Sequence, residues 1–278
     1  MKDMDFYLIR AISNLHVGSG EGDFSIVDKQ VQRDTITNLP TIHSSGIKGA
    51  LREGMETDTD IKDDDVVEIF GSKSKADAPK DPTQKRAPKS MKQGLNNFFE
   101  GKLLSLPIRS DHHFYYRATC PLLLQECHDY ILQFSKEHPL IKDLKTLLGL
   151  TVSEEEPIYL GNDHGPIRLE DWKAMYNDQS IPESVKKEMG DRIAILHDND
   201  FKELAGQLPV IARNYLENGI SDNLWYEEVV PREAIFYTMV SRHEEKNKLN
   251  EYLEKKNHLV QLGANATVGY GLCTFKKI

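Results

Sequence analysis

The chain has 278 residues, a mass of 31.7 kDa and a formal net charge of −9 at pH 7. Its composition, 39% hydrophobic and 28% charged, excludes wholesale disorder, and no apolar run approaches the ~20 residues of a membrane-spanning helix. The three cysteines are an odd and sparse set, which argues against a disulfide framework. We therefore expect a cytoplasmic protein with no membrane partner.

Charge is unevenly distributed along the sequence. Residues 73–92 contain seven lysines and arginines and two aspartates, whereas residues 53–68 just upstream are strongly acidic. Three prolines among the lysines predict that residues 72–94 form a basic, mobile loop. No linker separates two cores, so we expect a single domain over 1–278. The net negative charge does not exclude a nucleic-acid partner, because binding depends on where the basic residues lie.

The predicted elements mix strands and helices along the chain. Alternating apolar residues and β-branched or aromatic content predict strands at 6–12, 102–107, 114–120, 193–196, 224–230, 234–240 and 267–275. Apolar residues at helical spacing predict helices near 47–55, 123–134, 201–208 and 249–253. A β-α start and a β-α-β finish around a long middle indicate an α+β fold with one sheet and large insertions.

The first predicted helix is a candidate phosphate site. The serine pair 44–45 can cap its start, and Gly46 and Gly49 leave the free amides unobstructed. Lys48 and Arg52 lie one helical turn apart, so both cations share a face. Spacing alone leaves two interpretations open: a clamp for a backbone phosphate, or a capped surface helix with solvated charges.

Two glycine-rich segments flank predicted strands. His16-Val17-Gly18-Ser19-Gly20 follows the first strand, and Gly263, Gly269 and Gly271 surround the last. Glycine weakens a strand interior, so its presence there indicates a ligand or another backbone passing close by. The first segment lacks the third glycine of a dinucleotide-binding fingerprint and is also compatible with a simple turn.

Acidic residues mark a second candidate region. Asp28 directly follows apolar residues, and an aspartate in such a position most often caps a turn. Glu227 and Glu228 are adjacent on a predicted strand and must point to opposite faces, so one of them can line a cleft as a general base or metal ligand. The histidines at 112–113 lack zinc-ligand spacing relative to the nearby cysteines, and we expect no zinc site there.

Read together in chain order, several segments resemble the RAMP proteins of CRISPR effector complexes. They are His16-x-Gly-Ser-Gly20, Val27-Asp28-x-x-Val-Gln-Arg33, Leu39-Pro40-x-Ile42, Ser45-Gly-Ile-Lys48-Gly-x-Leu-Arg52 and Ile69-Phe70-Gly71. The Leu224-Trp-Tyr-Glu-Glu228 segment and the glycine-rich tail extend the resemblance to about residue 275. More narrowly, the chain resembles the family of the fourth Cmr subunit, the repeated backbone subunit of the type III-B complex.

The resemblance implies a modified RRM-like, ferredoxin-like fold with large insertions and a protruding thumb hairpin. It implies a subunit that binds the guide crRNA and cleaves complementary target RNA at regular intervals in antiviral defence. Its partners would be guide and target RNA, copies of itself in a helical filament, and other Cmr subunits. Two alternatives remain: a non-catalytic guide-coating scaffold, and a metal-independent RAMP nuclease that processes precursor guide RNA.

The resemblance also implies roles for individual residues. Asp28 occupies the position of the aspartate that the family needs for target cleavage, and His16, Glu227 and Glu228 occupy positions near it. The RNA contacts fall on Lys48, Arg52, Gly46, Gly49, Gly18, Ser19, Arg33, Gly263, Asn265, Gly269 and Gly271. An aspartate of ordinary pKa ~3.9 is a poor base at neutral pH, so we expect Asp28 to hold a divalent metal, Mg²⁺ or alternatively Mn²⁺.

Overall fold

The computed structural model describes residues 3–20, 27–72, 92–135, 137–243 and 248–278. Most of the predicted basic loop at 72–94 lies outside these residues. The longest helix in the described ranges has 14 residues, and none there is long and apolar enough to cross a bilayer.

The described strands and helices follow one another along the chain in a mixed order. The strands are β1 (Asp3–Ala11), β2 (Thr41–Ile42), β3 (Asn97–Phe98), β4 (Gly101–Arg109), β5 (Tyr115–Thr119), β6 (Ile158–Leu160), β7 (Ile167–Leu169), β8 (Trp172–Tyr176), β9 (Ile193–Ile195), β10 (Val210–Glu217), β11 (Ile220–Glu228), β12 (Ile235–Arg242), β13 (Leu259–Gln261) and β14 (Leu272–Lys277). The helices are α1 (Ser44–Glu56), α2 (Asp63–Phe70), α3 (Pro121–Phe134), α4 (Pro139–Leu148), α5 (Glu183–Met189), α6 (Asp198–Gly206) and α7 (Lys248–Lys255), and a 3-10 turn covers Ala266–Val268.

The centre of the molecule is a four-stranded antiparallel sheet in the order β14-β1-β12-β4. In the chain, α1 lies between β1 and β4, and α7 lies between β12 and β14. The resulting order β1-α1-β4-β12-α7-β14 is the βαββαβ arrangement of ferredoxin-like folds. The predicted RRM-like, α+β class is confirmed.

Helices cover both faces of this sheet. In β1, Tyr7 and Ile9 pack into the cluster that contains the apolar residues of α1, α2 and α7. Phe6 and Leu8, on the opposite face, pack into the cluster that contains α3, α4 and α5. Because a strand points successive side chains to opposite faces, central strands covered on both sides carry continuous apolar runs.

The insertions lie between β4 and β12. Five strands in the order β5-β9-β6-β8-β7 extend the sheet beyond β4, and β5 and β9 are parallel. The other large insertion is a separate antiparallel hairpin of β10 and β11. Its two-residue turn places Asn218 (φ 52°) and Gly219 (φ 81°) in the left-handed region, as a type I′ turn requires. The tip residues Tyr215, Leu216 and Ile220 are exposed. The hairpin is the predicted protruding thumb, and we call it the thumb hairpin.

The predicted strands and helices are present in the structure, but seven of the fourteen described strands were not predicted, namely β2, β3, β6, β7, β8, β10 and β13. All of the predicted strands before the tail are present within a few residues of their predicted bounds. The strand predicted at 267–275 is wrong in its first half, because Gly269 (φ 84°) and Gly271 (φ 76°) keep the chain out of extended conformation until Leu272. The serine cap is also wrong: His43 is the N-cap of α1, and its side chain makes no capping hydrogen bond.

Three helices were not predicted. In α2, three consecutive aspartates at 63–65 precede the buried Val66, Ile69 and Phe70 and obscure a short apolar stripe. Helices α4 and α5 have only 10 and 7 residues, and both lie in the insertion. Such short stripes span fewer than three turns, which is too few for periodicity to identify a helix.

Candidate RNA-cleavage site

The loop that follows β1 pairs with the segment that leads to α1. Gly18 bridges Val31, and the Ser19 amide donates to the Gln30 carbonyl at 3.0 Å. This paired loop then lies against β11: the Lys29 amide donates to the Tyr226 carbonyl at 3.1 Å. Residues 21–26 lie outside the described residues. The pairing brings the Asp28 segment to the base of the thumb hairpin, which we define as Arg213 together with Trp225–Glu228.

Asp28 is the exposed acid of this region. Its Oδ2 accepts a hydrogen bond from the Tyr226 amide at 2.7 Å, which fixes the carboxylate to the hairpin base. Among the described residues, Oδ1 receives no hydrogen bond. The side chain is therefore held by one oxygen and can offer the other to a ligand.

Glu227 is 1% exposed and lies inside a ring of positive and polar groups. Its Oε2 accepts from Asn265 Nδ2 at 2.9 Å and lies 3.7 Å from Arg213 Nη1. Its Oε1 lies 3.8 Å from His16 Nε2 and 3.9 Å from Lys29 Nζ. These longer distances are ion-pair contacts rather than hydrogen bonds. The buried Glu227 carboxylate thus offsets the positive charge of the cations at the hairpin base.

Glu228 points to the opposite face of β11, and both of its carboxylate oxygens accept hydrogen bonds inside the protein. Its Oε1 accepts from Arg33 Nη2 at 2.6 Å, and its Oε2 accepts from the Val31 amide at 3.0 Å. Arg33 also donates to the carbonyls of Asn38 and Ala205, both at 3.0 Å. The two acids do point to opposite faces, but neither is exposed. Glu228 and Arg33 lie in an internal ion pair that joins the Asp28 segment to β11.

His16 is 3% exposed and lies behind this surface. Its Nδ1 lies 2.7 Å from the Glu228 carbonyl oxygen, which can only accept, so Nδ1 carries a proton and donates. A Cβ at position 18 would lie 3.1 Å from His16 Nε2, which explains the glycine there. The imidazole therefore packs between the glycine loop and β11.

The start of α1 is attached to the same loop. Gln32 accepts from the His43 amide at 2.8 Å and donates to the Gly18 carbonyl at 3.1 Å, so one side chain joins the helix to the loop. Lys48 has no ion-pair partner among the described residues, whereas Arg52 Nε donates to Glu56 Oε1 at 2.8 Å. The two cations that the spacing placed on one helix face are therefore electrostatically different.

The helix surface near these cations is open. A Cβ built at Gly46 or Gly49 would meet no atom within 4 Å. Residues of α1 also line a groove of about 690 Å³ that continues across α7 to Gly263 and Ala266 of the tail. Of the predicted RNA-contacting glycines, Gly46 of α1 and Gly263 of the tail border this groove.

Two glycines of the tail are required by neighbouring protein backbone. A Cβ at Gly263 (φ 72°) would lie 2.3 Å from the His16 carbonyl oxygen, and one at Gly271 would lie 1.9 Å from the Leu262 carbonyl oxygen. Asn265, at φ 66°, holds the tail against Glu227. Of the two explanations for these glycines, a passing backbone holds for Gly263 and Gly271, while Gly269 faces open space.

The residues suit a metal bound together with substrate rather than one bound by protein alone. Mg²⁺ commonly takes one or two carboxylates, waters and substrate phosphates. Asp28 supplies one such carboxylate oxygen. Glu227 and Glu228 are buried and already have partners, and within the described ranges no group of three potential metal ligands includes Asp28.

A separate cluster was missed by the sequence analysis. His112 and His113, between β4 and β5, meet Asp163, which follows β6. Partial burial acts to raise the pKa of Asp163, but the hydrogen bonds from Tyr116 and His113 outweigh it and hold that pKa below its ordinary value. Burial and the same carboxylate raise the pKa of Tyr116. The adjacent histidines were the available signal, but the sequence could not show which acid they meet.

Comparison with known proteins gives a consistent result. The model of the RAMP superfamily matches residues 8–274. The chain is 28% identical over 292 aligned positions to the CRISPR system Cmr endoribonuclease Cmr4 of Pyrococcus furiosus, covering 96% of this chain and 94% of that protein.

Solved structures are similar over the same length. A crystal structure of oligomeric Cmr4 from Pyrococcus furiosus has a TM-score of 0.70 and 22% identity, covering 100% of this chain and 99% of that one. A type III-B Cmr-beta complex bound to cognate target RNA contains a chain with a TM-score of 0.77 and 23% identity, covering 99% and 96%.

Proposed function

The chain belongs to the RAMP superfamily, and we propose that it is the guide-RNA-binding backbone subunit of a type III-B CRISPR complex. In this role it cleaves complementary target RNA at regular intervals in antiviral defence. The observation that carries the proposal is Asp28: an exposed carboxylate fixed to the base of the thumb hairpin in a chain similar to a Cmr endoribonuclease.

The cleavage needs little covalent chemistry from the protein. The 2′-hydroxyl oxygen of the target attacks the adjacent phosphorus as it loses its proton, the bond from phosphorus to the 5′-oxygen breaks, and that oxygen gains a proton. The products are a 2′,3′-cyclic phosphate and a 5′-hydroxyl. The protein must hold the attacking and leaving oxygens in line. The thumb hairpin serves this by entering between guide and target and displacing one base.

Asp28 would hold a divalent cation, Mg²⁺ or Mn²⁺, through its free carboxylate oxygen together with target phosphate oxygens. Bound there, the cation supplies charge neutralisation at the scissile phosphate. The Tyr226 amide keeps Asp28 oriented, and Lys29, 53% exposed, adds positive charge beside it. His16 is buried and bonded to a carbonyl, which disfavours the metal-independent mechanism based on a histidine acid or base.

The guide crRNA is assigned to α1 and to the glycine loop that Gln32 joins to it. Lys48 and the open glycines of α1, with Ser19 and Gly269, offer cations and unobstructed backbone to phosphates. Copies of the chain would follow one another along the guide in a filament, with other Cmr subunits at its ends, in the cytoplasm. The oligomeric relative supports the self-association.

The decisive experiment compares wild type with Asp28→Asn in the reconstituted complex on end-labelled complementary RNA. Asparagine keeps a side-chain oxygen to accept from Tyr226, so the loop stays docked while the charge is lost. We expect a ladder of evenly spaced cuts from wild type, abolished by EDTA, and a rate lower by about 100-fold or more for Asp28→Asn with target binding retained.

Asp129→Asn, an exposed aspartate on α3, is the matched control and should cut like wild type. Tight binding with an intact target in wild type and variant alike would make the subunit a guide-coating scaffold. Target cleavage that persists in EDTA would contradict the proposed role of a divalent metal.

A further inference from the structure

The three residues His112, His113 and Asp163, which we call the His-Asp cluster, converge far from Asp28 in sequence. His113 Nε2 lies 2.8 Å from Asp163 Oδ2, and His112 Nε2 lies 3.3 Å from Asp163 Oδ1. One donor atom from each residue falls within 4.8 Å of the others. Two imidazole nitrogens and a carboxylate thus face one another on the insertion.

Adjacent histidines can reach a common point only because the backbone bends there. Residues 111–114 form a bend between β4 and β5, so the side chains of His112 and His113 do not point to opposite faces as they would in a strand. The two rings stand edge to face with centroids 4.9 Å apart. The loop therefore presents both Nε2 atoms on the same side, toward Asp163.

We propose that the His-Asp cluster binds one Zn²⁺ ion, with His112 Nε2, His113 Nε2 and an oxygen of Asp163 as ligands and a water in the fourth position. Two imidazoles with one carboxylate form a donor set that zinc prefers, whereas Mg²⁺ and Ca²⁺ prefer oxygen alone. The assignment concerns a different part of the molecule from Asp28 and does not depend on RNA cleavage.

The distances agree with this ion. Ligand atoms about 2.0–2.2 Å from a tetrahedral zinc lie roughly 3.3–3.6 Å apart. The 3.3 Å separation of His112 Nε2 from Asp163 Oδ1 already matches. His113 Nε2 lies 2.8 Å from the other oxygen, Oδ2, so the carboxylate has to turn and this hydrogen bond has to open for one ion to meet all three residues. Asp163 is 19% exposed and His112 is 54% exposed, so the ion has an entry path from solvent.

A second set of contacts supports the ligands. The Tyr116 hydroxyl donates to Asp163 Oδ2 at 2.8 Å, the kind of outer hydrogen bond that orients metal ligands. Tyr116 is fully buried and packs edge to face on Tyr159 of β6. The carboxylate is thus anchored to Tyr116 of β5, which in turn packs on β6, the strand on the other side of β9. A bound ion would fasten the loop at 110–114 to the loop that follows β6.

The test is a calorimetric titration of ZnCl₂ into the tag-free full-length chain in excess Mg²⁺. We expect one equivalent of Zn²⁺ to bind and to raise the melting temperature, because the ion binds only the folded state. His112→Gln, His113→Gln and Asp163→Asn should each weaken binding by about tenfold or more. Co²⁺ in the same site should give the visible absorption of a four-coordinate ion.

His128→Gln is the control, since His128 Nδ1 lies 2.9 Å from Asp129 Oδ1 on α3 and the two have no third potential ligand in the described part of the chain. It should bind Zn²⁺ like wild type. Circular dichroism of each variant checks that a loss of binding is not a loss of fold. Equal, weak binding by wild type and the folded His113→Gln and Asp163→Asn variants would overturn the proposal and leave a hydrogen-bonded cluster. Loss of Zn²⁺ binding in the folded His128→Gln variant would overturn it too.

Discussion

At the scale of single residues, the two adjacent glutamates of β11 have different roles although both are buried. Glu228 has a bonded partner on each oxygen, and one of them is the Arg33 guanidinium. Glu227 has one hydrogen bond and three cationic or imidazole neighbours at 3.7 to 3.9 Å. Glu228 fixes the Asp28 segment to β11 through its hydrogen bonds, while Glu227 offsets the positive charge of the side chains around it.

Removing the Glu228 charge should therefore destabilise the fold. In Glu228→Gln the Arg33 guanidinium, 16% exposed, loses its counterion but keeps two carbonyl acceptors. We expect the free energy of unfolding to fall by about 2–3 kcal/mol, measured by urea denaturation. The same substitution at Glu56, which pairs with Arg52 on the surface of α1, should cost less than about 0.5 kcal/mol. Equal losses of unfolding free energy in the Glu228 and Glu56 variants would refute the distinction between these two ion pairs.

At the scale of elements, the thumb hairpin is built to protrude. Its turn is a two-residue type I′ turn, and its tip exposes Tyr215, Leu216 and Ile220 rather than packing them on the sheet. Its base is held by Asp28, Arg33 and Val31 through the contacts to β11. The contacts that hold the thumb hairpin in place therefore lie at its base, and its apolar tip is available for contact with nucleic acid.

The tip can be changed without unfolding the protein. We expect the combined variant Tyr215→Ser, Leu216→Thr and Ile220→Thr to keep its melting temperature within about 2 °C of wild type, because exposed side chains contribute little to stability. Target cleavage by the reconstituted complex should fall by about tenfold or more, since a stacked base contributes ~1–3 kcal/mol. Leu132→Gln, an exposed apolar residue on α3, should change neither property. If the combined variant cleaves target RNA like wild type, the tip of the thumb hairpin has no role in the reaction.

At the scale of the whole molecule, the proposed RNA binding by a chain of net charge −9 requires local positive charge. The acidic first turn of α2 is partly compensated by Lys248 of α7, which contacts Asp65 and Glu68. On the face of α1 that we assign to the guide, Lys48 has no ion-pair partner among the residues that the structure describes, and Arg52 already has Glu56. Affinity for the guide should therefore depend unequally on the two cations of α1.

Salt titration of guide-RNA binding tests this inequality. Each phosphate contact contributes about 0.7 to the slope of log K against log salt for a single strand. Lys48→Ala should lower that slope by about this amount and weaken binding, whereas Arg52→Ala should lower it less, because Glu56 already neutralises the guanidinium. Fluorescence anisotropy at several salt concentrations measures both. A larger effect of Arg52→Ala would contradict the assignment.

Much of this protein follows from the sequence alone, because the signals are local. The α1 stripe of Ile47, Leu51 and Met55 predicted a buried helix face, and all three are buried. The alternating apolar residues and the β-branched and aromatic content of β1 and β12 predicted strands, and both are present. The ordered motifs from His16 to the glycine tail indicated the RAMP family before any coordinates. These features depend on neighbours within a few residues, where periodicity and spacing are informative.

Only the tertiary structure decided which side chains meet. Glu228 and Arg33 are 195 positions apart, and Asp28 and Tyr226 are 198 apart. Their contacts arise from strand register and loop docking, which no local pattern encodes. The same is true of Asp163, brought to His112 and His113 by the pairing order of β5, β9 and β6. The sequence by itself thus determined the family, the central elements and the candidate acids. The packing of distant segments decided that Asp28 is exposed, that Glu227 and Glu228 are internal, and that two histidines acquire a carboxylate.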